Sequence, residues 1–157
     1  MEQTGRHWLM KSEPDEFSID DLRREGRAPW TGVRNYQARN FMRDGMRVGD
    51  PVLFYHSSKQ PAGVAGLARV ASGALPDPTQ FDRRSAYFEP RATREKPMWM
   101  MVEVAFAEKF PTLITLEELK TERGLEGLAL LQKGSRLSIQ PVSPEHFRWI
   151  VQRGRRA

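Results

Sequence analysis

The chain has 157 residues, 39% of them hydrophobic and 29% charged, the size and balance of one ordinary domain with a real core. It contains no cysteine, which excludes disulfides, thiol catalysis and cysteine-based zinc sites. The net charge is +5, from 19 Arg and 6 Lys against 20 Asp and Glu, and a small domain this basic attracts polyanions because neutralising phosphates releases counterions.

RHWLMK, from Arg6 to Lys11, reads as a short first strand with Trp8 and Met10 on one face, ended by Ser12 to Pro14. Ser18 caps a short helix, SIDDLRREG, with Asp20 and Asp21 in its first turn and Gly26 as its stop. The stretch from Ala28 to Ser57 organises the rest. Trp30 precedes a turn glycine, and a helix is expected from about Val33 to about Asp44, with Ala38, Phe41 and Met42 at a core-facing i, i+3, i+4 spacing. Continued backwards, that face reaches Arg34 and Asn35, so polar groups are aimed inward beside a tryptophan. Two readings stand side by side. In one, Asn35 or Thr31 caps the helix, Arg34 pairs with a carboxylate such as Glu13, and Trp30 is core. In the other, the helix mouth receives an anionic or polar ligand.

PVLFYHS is a strand ending in a polar cluster of Tyr55, His56, Ser57 and Ser58, and GVAGLARVA returns from it as a hairpin. The small residues Ala62, Gly63, Ala65, Gly66 and Ala68 suit a tightly curled sheet or a close approach of another backbone or ligand. Leu75 to Pro97 reads as a long loop whose cations Arg83, Arg84, Arg91, Arg94 and Lys96 interleave with Phe81, Tyr87 and Phe88. That mixture suits a phosphate backbone and exposed bases, and equally a solvated loop pinned by its aromatics. MWMMVEVAFAEKF is an apolar strand with Trp99, Met101, Glu103 and Ala105 expected on one face. Thr115 and Glu118 form a capping box, LEGLALLQKG reads as a second short helix stopped by Gly134, and SRLSIQPVS is a last strand. The final helix, SPEHFRWIVQRG, has Ser143 as cap, Pro144 at its first position and Phe147, Ile150 and Val151 as its core stripe. RGRRA then trails off as a basic end, at about residues 153–157, of a single domain spanning 1–157.

His7, His56 and His146 form no metal-ligand pattern, so no metal site is expected. There is no P-loop, no G-x-S-x-G and no G-x-G-x-x-G, and no cofactor is indicated. No apolar run approaches the roughly 20 residues that span a bilayer, and MEQTGRHWLMKSEP lacks a signal-peptide core. The expectation is a cytoplasmic, non-membrane monomer.

Five stretches carry a resemblance: WLMKSEP (Trp8 to Pro14), WTGVRNYQARN (Trp30 to Asn40), VGDPVLFYHS (Val48 to Ser57), DPTQFD (Asp77 to Asp82) and RLSIQPV (Arg136 to Val142). In this order, and over nearly the whole chain, they resemble the EVE-domain (thymocyte nuclear protein-like) family, which is similar to YTH and ASCH domains. The resemblance implies an α+β, PUA-like fold, a curled and mostly antiparallel sheet approaching a barrel, flanked by helices. It also implies a non-enzymatic reader of a modified cytosine or adenine in DNA or RNA.

Carried onto this sequence, the resemblance implies a pocket of Lys11, Ser12 and Glu13 from the first strand end, Trp30, Val33, Arg34 and Asn35 from the central stretch, Tyr55, His56 and Ser57 from the hairpin, and Trp99. Trp30 with Tyr55 or Trp99 would stack on a flipped base, Asn35, Ser12 and Ser57 would read its edge, Arg34 and Lys11 would hold the flanking phosphate, and Val33 would meet a methyl group. Arg83, Arg84, Arg91, Arg94 and Lys96 would follow the nucleic-acid backbone. Two other functions compete: a general module for tRNA or rRNA carried by that loop and RGRRA, and a small-molecule binder or enzyme using Glu13 or His56 as acid or base.

Overall fold

Successive side chains of a strand point to opposite faces of its sheet, and in β1 (His7–Ser12) both faces are covered: Trp8, Leu9 and Met10 are all fully buried. In the computed structural model, which describes residues 6–133 and 137–156, β1 pairs in parallel with β3 (Pro51–His56) and antiparallel with β8 (Ile139–Val142). β2 (Arg27–Pro29), β4 (Gly63–Val70) and β7 (Glu103–Thr115) complete a six-stranded sheet of order β2-β7-β4-β3-β1-β8. Its remaining pairings are antiparallel. β5 (Leu75–Pro76) and β6 (Met100–Met101) form a separate two-stranded ribbon.

Register shifts at Phe54/Tyr55, Val64/Gly66 and Leu67/Ala68 bend the sheet into a half-barrel. The glycines expected to permit a close approach do so. A Cβ on Gly63 would collide with the Ile114 carbonyl and one on Gly66 with the Glu108 carbonyl, so only glycine lets β4 and β7 meet at these bulges.

One face of the sheet, with Trp8, Met10 and Phe54, packs on α1 (Ile19–Glu25) and α2 (Tyr36–Asn40). The other, with Leu9, Leu53 and Phe110, is closed by α3 (Leu116–Lys120), two short 3-10 turns and α4 (Pro144–Arg156). The cap of α1 is as its sequence predicts: Ser18 accepts from the Asp21 N–H, and Asp21 accepts in return from the Ser18 N–H.

Four elements depart from expectation. The central helix begins at Tyr36 rather than Val33, because Asn35 is extended and its side chain caps the Ala38 N–H, and it continues as a widened π turn over Phe41–Gly45. The Met98-to-Phe110 stretch is not one strand. It breaks at Val102, and β7 runs on through Pro111, which the ladder tolerates because the register on β4 jumps from Lys109 to Ile114. Glu103, set on a face with Trp99, is instead half-buried at the β2 edge, where it pairs with Arg27. The expected second short helix resolves into the turns Arg123–Leu125 and Ala129–Leu131, and Gly134, its expected stop, lies outside the described residues. The basic end does not trail off: α4 continues through Gly154, whose missing side chain makes room for the Phe110 ring, to Arg156.

Candidate functional site

The site begins where β1 and β3 end together. Lys11 donates its N–H to the Ser138 carbonyl at 2.9 Å, and Ser57 donates to the Ser12 carbonyl at 2.9 Å, so the two serines arrive side by side. The Ser12 hydroxyl donates to the Phe17 carbonyl at 2.6 Å, fixing the turn that follows β1. Burial lowers the Lys11 ammonium below its ordinary pKa, because its charge is partly desolvated.

β2 delivers the opposite wall. The Trp30 N–H donates to the Val102 carbonyl at 2.8 Å, and its indole meets Phe54 edge-on at 5.6 Å with 9% of the residue exposed. Gly32 then turns the chain with φ +84, and its N–H donates to Asp77 at 2.8 Å. The Tyr87 ring stands 2.9 Å from where a Gly32 Cβ would lie, so any other residue here would be strained and would displace that ring.

Arg34 does not pair with Glu13. Its guanidinium donates to the Asp77 carboxylate at 3.1 Å, the Thr79 hydroxyl at 3.0 Å and the Tyr87 carbonyl at 2.7 Å. Asp77 is fully buried and also accepts from the Thr79 N–H and hydroxyl. Gln80, equally buried, donates to the Asp77 and Trp99 carbonyls and accepts from the Met98 and Trp99 N–H groups. Asp77 and Gln80, expected only as part of the DPTQFD motif and not at the site, thus hold the 75–97 loop against the domain. The signal that could have found Asp77 is the Asp-Pro pair, since Asp77 caps the 3-10 turn Pro78–Phe81 with Pro at its start. Nothing in its spacing announces burial.

These walls enclose a cleft of about 600 Å³, within the size range of small-ligand sites. Lys11, Ser12, Glu13, Trp30, Val33, Arg34 and Ser57, all expected at a pocket, line it, and Glu16, Thr31, Gly32 and Tyr87 join them. Four other expected residues lie elsewhere. Asn35 spends its side-chain oxygen on the cap of α2. Tyr55 points into the opposite core, where burial raises its pKa. His56 accepts from the Ile19 N–H at 3.1 Å and tethers α1, with burial the main cause of its lowered pKa. Trp99 is buried behind Arg34, stacked on Tyr36 at 4.9 Å. Of the loop cations, Arg91 pairs with Glu89 and Arg94 lies over the Phe81 ring, while Arg83, Arg84 and Lys96 are exposed. Among the described residues no group of acidic residues and histidines is placed to hold a metal ion, and no helix is long and apolar enough to cross a membrane.

Comparison with known proteins agrees with this architecture. Human thymocyte nuclear protein 1 is 38% identical over 170 residues, covering 96% of this chain and 75% of the human protein. The crystal structure of the human protein in complex with 5-methylcytosine-containing DNA superposes with a TM-score of 0.90 at 37% identity, covering 96% of this chain and 98% of that one. A Leishmania major protein of unassigned function gives 0.92 at 50% identity, covering 98% and 96%, and a Pseudomonas syringae protein gives 0.89 at 50%, covering 93% and 97%. The EVE domain matches residues 6–153. With that match over the curled PUA-like half-barrel described above, the chain belongs to the EVE-domain family.

Proposed function

We propose that the cleft holds a single modified nucleobase, with methylated cytosine the first candidate, and that the protein reads this mark in nucleic acid without catalysis. The observation that carries the reading is the cleft itself: a nearly buried indole, two hydroxyls and a partly desolvated ammonium surround a space of about 600 Å³. The human relative, crystallised with 5-methylcytosine-containing DNA, supports the choice of ligand.

Trp30 is the stacking surface, in a contact of the kind worth about 1–3 kcal/mol per base. The Ser57 hydroxyl suits a base edge because it can accept as well as donate, and the Ser12 hydroxyl, whose proton goes to the Phe17 carbonyl, offers that edge a lone pair. Val33, nearly buried at the cleft wall, offers apolar contact to a methyl group, worth about 0.8 kcal/mol per carbon buried. Lys11 serves the flanking phosphate. Arg34, with its donors spent on Asp77, Thr79 and the Tyr87 carbonyl, shapes the wall instead. Arg83, Arg84 and Lys96 are open to a phosphate backbone, with Arg91 and Arg94 beside them, and this loop favours a second reading, RNA binding without base selection.

Fluorescence anisotropy separates the two. Short oligonucleotides matched except for one methylated cytosine or adenine, as DNA and RNA, are titrated across salt. A preference of about tenfold, lost in Trp30→Ala while salt-dependent background binding persists, supports base reading. Equal affinity for all of them, abolished by charge reversal at Arg83 and Arg84, supports the loop alone.

A further inference from the structure

A column of stacked cations and rings runs from α2 to the mouth of the cleft. The Arg39 guanidinium carbon lies 4.7 Å from the Tyr36 ring centroid, Tyr36 stacks on Trp99 at 4.9 Å and 19°, and the Arg34 guanidinium carbon sits 5.3 Å from Trp99 and 5.2 Å from Tyr87. Buried Asp77 fixes Arg34 in the middle of this column. The last ring, Tyr87, is 41% exposed and lines the cleft.

Its exposure is not needed to hold the loop. The backbone does that work, with the Tyr87 carbonyl accepting from Arg34 at 2.7 Å, while its N–H donates to the Ser85 hydroxyl at 3.0 Å within the loop. The ring is braced by a cation, packed close against Gly32 and still partly open beside a site already lined by Trp30. A flat, preordered aromatic surface at such a mouth gains by stacking on a second planar group, and it loses little entropy in doing so because it is already fixed.

We infer that Tyr87 stacks on the nucleotide adjacent to the base held in the cleft. This rests on the cleft being a nucleobase site. Stacking is tolerant of base identity because every base has a π face, so Tyr87 contributes affinity and not recognition of the mark. Trp30, inside the cleft, contributes to both. The two tryptophan- and tyrosine-directed variants therefore have different signatures.

The test uses single-stranded oligonucleotides with and without one 5-methylcytosine, each also made with an abasic site next to that position. They are titrated against the parent protein and Tyr87→Phe, Tyr87→Leu and Tyr87→Ala. Leucine fills the space without a ring, and circular dichroism confirms that each variant is folded. Tyr87→Ala and Tyr87→Leu are expected to weaken methylated and unmethylated ligands alike by about tenfold, with Tyr87→Phe within about twofold of the parent. The abasic neighbour is expected to weaken the parent by a similar factor and the alanine variant no further, a coupling that a merely structural role would not produce. Parent-like affinity in both variants, or an abasic penalty equal in parent and variant, overturns the inference. If the parent shows no preference for methylcytosine while the coupling persists, the modified-base reading falls and the stacking role stands. If the parent binds no oligonucleotide, both fall.

Discussion

The two faces of the sheet are closed by different chemistry. On one, Leu9, Leu53, Phe110 and Ile114 meet Leu119 of α3 and Ile150 of α4 with side chains that need no partners. On the other, Trp8, Trp30 and Phe54 are covered by α1 and α2, and the boundary is finished by a loop whose buried Asp77 and Gln80 satisfy their polar atoms one by one. Apolar cover excludes water and leaves no opening. Cover by hydrogen bonds is directional, and it can hold a wall at a fixed distance from its neighbour, which is what a cleft requires.

The largest effects should separate the faces. Phe110→Ala empties space between β7 and α4 and is expected to cost about 3–5 kcal/mol, measured by urea denaturation, with oligonucleotide preference unchanged. Asp77→Ala strands the Arg34 guanidinium and the Gly32 N–H and should cost a similar 3–5 kcal/mol or so, but here the preference should vanish as well. Loss of preference in Phe110→Ala would show that the faces are not independent. A cleft that kept its preference without Asp77 would break the account of its wall.

A smaller effect tests the join between the cleft and α1. His56 must be neutral at Nε2 to accept from Ile19, and its pKa is lowered chiefly by burial, with Lys109 adding to that and Asp20 opposing it. The unfolded chain therefore takes up this proton first as pH falls. Stability from His56 is complete above about pH 6.5 and is lost progressively as pH drops from there toward the depressed folded value. Denaturation midpoints should fall less over that window in His56→Gln than in the parent. Smallest is Ser18→Ala, which removes one cap and should cost about 1 kcal/mol without moving affinity.

How much of this was legible in the sequence follows the same division. The first and last strands, the hairpin, the capping of α1 by Ser18 and the core stripe of α4 are written in short-range patterns, because periodicity and caps act over a few residues, whereas the three-residue β2 carries too little pattern to be seen. The family motifs extended that reading to the half-barrel. The partner of Arg34 was not legible, since Asp77 lies 43 residues away and no local rule selects it over Glu13. Tyr55 and His56 went astray for a related reason. They follow the unbroken alternation of β3, Tyr55 onto the opposite core with Leu53, and His56 onto α1, whereas the polar cluster at the strand end reads in sequence as one group. The place of Trp30, Ser12 and Ser57 along the cleft was legible because they sit at strand ends, where a motif fixes both position and direction.

The parallel pairing of β1 with β3 also sets an order of assembly. Parallel neighbours cannot be joined by a tight turn, and the connection from residue 13 to residue 50 carries α1, β2 and α2. The β3–β4 hairpin closes over a short span, whereas the parallel pair must first close that long excursion, a slow step for any chain. Ser12 and Ser57 become neighbours only with that step. Competence to bind should therefore appear late in refolding, after most strand hydrogen bonds have formed, and a stopped-flow experiment with labelled ligand would place it on the clock.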